Sequence, residues 1–332
     1  MGIEKHKGNS LVVRALFLTG FSACHLWFTS TGLVTGTRMA VVVRPYPCIS
    51  QVRALSKLAD HYSAEGQYCE SLTLMTEALE IAEREFGSCH LEVAKILNSL
   101  GVICKYAGRF DEAERVYRRA LAITEKLLGP DDPAIATIYH NFGGLEHARG
   151  RYRVGEPFAR RAVKLRRRAL GPDHPDVAAD QAALAAILDG EGRRKEAERL
   201  YLGALAVFER VFGTNSYEVA VNLNNLAALY QAQGKLRKSE WQYRRALKIK
   251  QKLLRPDHPD VATTMNNLAV LYKSERKWKE AENLYRGAIS ILERALGRRH
   301  PTLLASQANY EHLLSRLHFD PHLGSVRRRR AS

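Results

Sequence analysis

The chain has 332 residues, with 51 Lys and Arg against 35 Asp and Glu, a formal net charge of +16 and 45% hydrophobic residues. That apolar content suffices for a continuous core and excludes a charge-driven disordered polymer. Five cysteines (Cys24, Cys48, Cys69, Cys89 and Cys104) show no paired spacing and leave one over, which argues against a disulfide framework and for a reducing compartment.

Residues 1–50 stand apart from everything that follows. Ala15 to Val34 is mostly apolar but holds His25, five Ser or Thr and two Gly. Lys5 and Lys7 supply the basic start of a secretion signal, yet no small-residue cleavage site is plain. A membrane anchor needs about 20 apolar residues, and this run is polar for that length. The remaining reading is an unstructured leader, or sequence ahead of a true start at Met39. A membrane partner is not expected and a cytoplasmic location is, with an N-terminal signal or anchor as the competing reading.

From residue 51 the chain repeats itself. Glycines recur every 42 residues at Gly87, Gly129, Gly171, Gly213 and Gly297, with Arg255 in the missing place. A second series, Gly66, Gly108, Gly150, Gly192 and Gly234, runs at the same spacing and meets Arg276 in its next slot. Fixed self-similarity marks a protein of stacked repeats, and such solenoids offer long surfaces to partners.

Between the glycines, apolar residues fall at three- and four-residue steps, the period of amphipathic helices. Val219 to Tyr230 is expected as one helix (A) and Lys238 to Leu254 as its partner (B). In the link from Leu170 to Pro175, Gly171 ends one helix and Pro175 opens the next, with Asp176 in the first turn. Small residues mark the close approaches. Ala78, Ala120, Ala162, Ala204, Ala246 and Ala288 hold one slot of every helix B; Ala59, Gly101, Gly143, Ala185, Ala227 and Ala269 hold one slot of helix A. A large side chain there would force the pair apart.

Six complete pairs are followed by a seventh helix A, about Pro301 to Leu317, which carries Glu311 where the others have Ala or Gly. A charge there fits a solvating cap. The expected organisation is a leader over 1–50, one solenoid over 51–317 and a basic disordered tail over 318–332.

Leu223, Asn224, Asn225, Leu226, Ala227, Tyr230, Gly234 and Lys235, then Tyr243, Ala246 and Leu247, then Pro256 to Ala262, resemble the tetratricopeptide repeats of kinesin light chains, the type with a 42-residue period. The resemblance spans Arg53 to Arg316. It implies an all-α fold, a right-handed superhelical solenoid of stacked helix-turn-helix repeats with the A helices on the concave side. The heptads by which a light chain grips its motor are not seen upstream of residue 50.

The resemblance also implies that groove-facing positions of helix A hold peptide-binding asparagines and basic residues. One such slot runs Ser56, Asn98, His140, Ala182, Asn224, Asn266 and Ala308; another runs Ser63, Lys105, His147, Asp189, Gln231, Lys273 and Ser315. The candidate peptide-binding residues are therefore Asn98, Lys105, His140, His147, Asn224, Gln231, Asn266 and Lys273. An Asn side chain can pin both N–H and C=O of an extended peptide, and the lysines favour acidic ligands. Neighbouring Asn141, Asn225, Asn267 and Asn309 are expected to serve bonds between helices.

No phosphate loop and no His-Glu-x-x-His or Cys-x-x-Cys pattern occurs, so no catalysis, cofactor or metal is expected. His90, His174, His258 and His300 share one slot and suit helix starts. Much of the positive charge sits on the third helix B (Arg151, Arg153, Arg160, Arg161, Lys164, Arg166, Arg167, Arg168) and at Arg327 to Arg330. Placed on the convex side, that stripe suits an acidic protein, a nucleic acid backbone, or nothing beyond solubility. The leading expectation is a noncatalytic adaptor holding an extended acidic segment of a protein partner in the groove. The alternative is a nucleic-acid or anionic-surface binder acting through convex arginines.

Overall fold

The computed structural model describes residues 47–296, 298 and 300–319. The leader reading up to Tyr46, the glycine slot at Gly297 and the tail from Asp320 lie outside these residues.

Every described element is a helix, and the helices come in pairs. They are α1 (Pro47–Ala64) with α2 (Tyr68–Phe86), α3 (Leu91–Tyr106) with α4 (Phe110–Leu128), and α5 (Ile135–Ala148) with α6 (Tyr152–Leu170). Next are α7 (Pro175–Gly190) with α8 (Arg194–Phe212), α9 (Tyr217–Ala232) with α10 (Leu236–Leu253), α11 (Pro259–Ser274) with α12 (Trp278–Ala295), and the unpaired α13 (Pro301–Phe319). Packing is densest within a pair, and from α3 onward each A helix also touches the A helix of the next repeat. The result is an all-α solenoid of stacked helix pairs.

The turn chemistry explains the pairing. Gly66, Gly108, Gly150, Gly192 and Gly234 close the A-to-B turns with φ between +71° and +82°, a region that costs a residue with a Cβ about 1 kcal/mol or more. Arg276 holds the same turn at φ +61° and bears that strain. The other departure from the glycine series is solved differently. Helix α10 stops at Leu253, and its cap Leu254 is extended, so Arg255 never enters the left-handed region. At the B-to-A links, Nδ1 of His90, His174, His258 and His300 accepts the backbone N–H two residues on, at 3.1–3.2 Å. These histidines are helix caps, as their shared slot suggested.

The small-residue slots bring the paired helices together. Ala78, Ala120, Ala204, Ala246 and Ala288 are fully buried. Ser71 and Ser239 use the same closeness to donate across the pair to the carbonyls of Ala59 and Ala227, at 2.7 and 2.8 Å. Beside them, Tyr117, Tyr243 and Tyr285 fill the core with no exposed surface. A Cβ on Gly101 would lie 2.3 Å from Cε1 of Tyr117, so that glycine is required by the ring lying over it. Among the described residues no helix is long and apolar enough to cross a membrane.

Candidate functional site: a polar ladder on the A helices

The asparagines of the A helices form a ladder from repeat to repeat. Asn141 Nδ2 donates to Asn98 Oδ1 at 2.8 Å, Asn267 to Asn224 at 3.2 Å, and Asn309 to Asn266 at 3.4 Å. The second asparagine of each pair thus orients the first by taking its acceptor. Asn98 and Asn224 keep their amide N–H groups free of any protein acceptor among the described residues. Asn98 is half-buried; Asn224 and Asn266 are no more than 5% exposed.

The second slot carries the charge. Lys105 is 9% exposed, its Nζ lies 4.5 Å from the centre of the Tyr106 ring, and no carboxylate among the described residues pairs with it. Burial pushes its ammonium down from 10.5 to about 8. His147 of the next repeat is buried, its ring edge-on to Tyr152 at 5.3 Å. Desolvation, reinforced by Lys105, pushes this imidazole down to about 4. Lys273, half-buried at the other end of the ladder, is also lowered, first by burial and then by Arg316. Between these cations the slot holds Gln231 and Asp189. Gln231 Oε1 is buried without a hydrogen-bond partner among the described residues, as is Ser63 Oγ in the first repeat. Burial raises the Asp189 carboxyl despite Arg194 at 3.5 Å.

His140 is committed elsewhere. Its Nδ1 lies 2.8 Å from Oδ1 of the buried Asp180, whose Oδ2 accepts from Arg166 Nε at 2.7 Å. The two histidines of this helix therefore do not act as a unit. Arg166, assigned by the sequence to the convex stripe, turns inward to this carboxylate and is only 17% exposed. It occupies a core slot of helix B that reads Ala82, Thr124, Arg166, Phe208, Lys250 and Leu292 through the repeats. Lys250 is its counterpart; it is fully buried and donates to the Asp260 carbonyl at 3.4 Å. A basic residue in an otherwise apolar register was the signal for both.

Of the eight basic residues of the α6 stripe, Arg160, Arg161, Arg166 and Arg168 have carboxylate partners, and charged pairs elsewhere join successive repeats. Arg160 reaches Glu196 at 2.8 Å and Arg245 reaches Glu209 at 2.6 Å, each 36 residues away. Arg193 reaches Glu156, Lys235 reaches Glu198 and Lys277 reaches Glu240, each across 37 residues. Arg161 pairs with Asp131 at 2.5 Å. Exposed Lys164 and Arg167 of α6 have no carboxylate partner among the described residues. They line a shallow depression with Arg160, Arg168, Val163 and Leu184. Among the described residues no group of three His, Cys, Asp or Glu is placed to hold a metal ion.

Comparison with known proteins agrees with this architecture. The family model described as tetratricopeptide repeat matches residues 50–126, 92–154, 134–210, 184–252 and 218–294, which together run through most of the chain. The chain is a tetratricopeptide repeat protein. Members of this family generally serve as scaffolds for protein interaction rather than as catalysts. No curated protein matches the chain. Among solved structures it is similar to BtubC (BKLC) from P. vanneervenii, at 24% identity over 77% of this chain and 94% of that one, with a TM-score of 0.51. It is also similar to the nearly identical repeats of a putative kinesin light chain from Podospora anserina, at 22% identity over 63% of this chain and 99% of that one, TM-score 0.49. A Rap protein complexed with Competence and Sporulation Factor aligns at 15% identity over 82% of this chain and 77% of that one, TM-score 0.58. At these identities the likeness is one of fold.

Proposed function

We propose that this protein is a noncatalytic adaptor that holds an extended, acidic segment of a partner protein against its A helices. The observation that carries this reading is Lys105, an ammonium buried in the second slot with no carboxylate partner among the described residues. A buried cation lacking a counter-ion is costly to the fold, and an acidic ligand would restore the missing partner. The free amide N–H groups of Asn98 and Asn224 supply donors for the carbonyls of an extended chain. The Rap protein of like fold was solved with a bound factor, which supports ligand capture by such a solenoid.

The test is fluorescence anisotropy of a labelled oligoglutamate titrated with the full chain at low salt. Saturable binding is expected, weakened at least roughly tenfold (about 1.4 kcal/mol) when Lys105→Met is combined with Lys273→Met. Undiminished affinity in the double variant would contradict the groove reading. Unpaired Lys164 and Arg167 favour a second reading, an anionic surface or nucleic acid held on the convex side. Its mark would be single-stranded DNA binding that Arg167→Glu abolishes and the groove variant leaves intact.

A further inference from the structure

The two ends of the solenoid meet. Tyr68, the first residue of α2, lies with its hydroxyl 3.2 Å from Nε2 of His300, a residue 232 positions away in the link before α13. The backbone N–H of Thr302 donates to His300 Nδ1 at 3.1 Å. That cap leaves Nε2 as the protonated nitrogen, so the ring donates to the Tyr68 oxygen.

Gly66 makes room for this ring. It shares its positive φ with the other turn glycines, yet a Cβ there would fall 2.2 Å from His300 Cδ2, whereas at Gly108, Gly150, Gly192 and Gly234 it would meet nothing within 4 Å. His300 is accordingly 8% exposed, while its counterparts His90, His174 and His258 are only partly buried. Burial, then the nearby Tyr68 and the Asp260 carboxylate of α11, hold the Tyr106 phenol well above its ordinary range.

We propose that Gly66, Tyr68 and His300 form a latch that closes the solenoid into one turn, and that this latch controls access to the A-helix groove. Lys105 adjoins Tyr106, and Lys105, Asn224 and Asn266 are all nearly buried. A chain reaches them when the first and last repeats part. Ligand binding and latch opening are then coupled, because a ligand that binds only the open turn shifts the population toward it.

Two variants of the full chain test the latch without any ligand. Gly66→Ala is compared with Gly108→Ala, which imposes the same backbone strain (φ +77° and +76°) but meets no neighbour. His300→Asn keeps a good helix cap while withdrawing the ring. Small-angle X-ray scattering reads the overall dimension, and acetylation by an N-hydroxysuccinimide ester followed by mass spectrometry reads access to Lys105. Gly66→Ala and His300→Asn are expected to enlarge the radius of gyration and to speed Lys105 labelling several-fold, with Gly108→Ala matching the parent. If Gly66→Ala behaves as Gly108→Ala does, or if His300→Asn changes neither quantity, there is no latch. Neither measurement involves a partner, so their failure would leave the reading of the groove as a peptide site untouched.

Discussion

Lys105→Met is expected to make the folded chain more stable and its groove a poorer ligand trap. Burial holds the Lys105 ammonium at about 8 instead of 10.5. The unfolded chain thus binds the proton more tightly than the folded one, and folding opposes that preference. The penalty is fully present below pH 8, where both states are charged, and fades as pH rises toward 10.5. At neutral pH it amounts to about 3 kcal/mol at most. Methionine keeps the length and the contact with Tyr106 while removing the charge. Urea unfolding should show a gain of about 1–3 kcal/mol at pH 7 that shrinks as pH rises through 8 to 10.5. Loss of stability at pH 7 would mean that Lys105 has a partner and that its burial is structural. A residue whose removal strengthens the fold while weakening capture is one retained for binding.

Gly101→Ala should be strongly destabilising even though alanine is the better helix former. In an exposed helix the exchange gains about 1 kcal/mol. At Gly203 of α8, where a new Cβ meets nothing within 4 Å, that gain should be seen in full. At Gly101 the Cβ would sit 2.3 Å from the Tyr117 ring. That ring is fully buried and packed on Phe142 at 5.3 Å, so it has nowhere to turn. The overpacking cost of about 1–3 kcal/mol or more outweighs the propensity gain, and the two glycine variants should shift the urea midpoint in opposite directions. A stabilised Gly101→Ala would show that α3 and α4 do not depend on this close approach.

The parts of this molecule that repeat were legible in its sequence, and the parts that occur once were not. Gly66 and its successors, the histidine caps and the alanine slots each recur at a fixed interval, so a single chain supplies its own comparison. The ladder was visible in part: of the four asparagines expected to bond between helices, Asn141, Asn267 and Asn309 do, whereas Asn225 buries its Oδ1 without a hydrogen-bond partner among the described residues. That the acceptors are Asn98, Asn224 and Asn266 depends on the stagger of one repeat on the next, which no spacing encodes. Arg166 and Lys250 were readable in principle as charges in an apolar register, but the run of basic residues around Arg166 suggested a surface, and Lys250 was not singled out. The contact of Tyr68 with His300 had no periodic trace. It arises from the accumulated rotation of six repeats, a quantity set by the packing of every pair.

The central claim is that a partner lies along the A helices, and the most direct measurement is hydrogen exchange of the full chain with and without a partner recovered by affinity capture. New protection is expected in α3, α9 and α11, centred on Asn98, Lys105, Asn224 and Asn266, with α6 unchanged. Protection confined to α6, around Lys164 and Arg167, with the A helices exchanging as before, would contradict it.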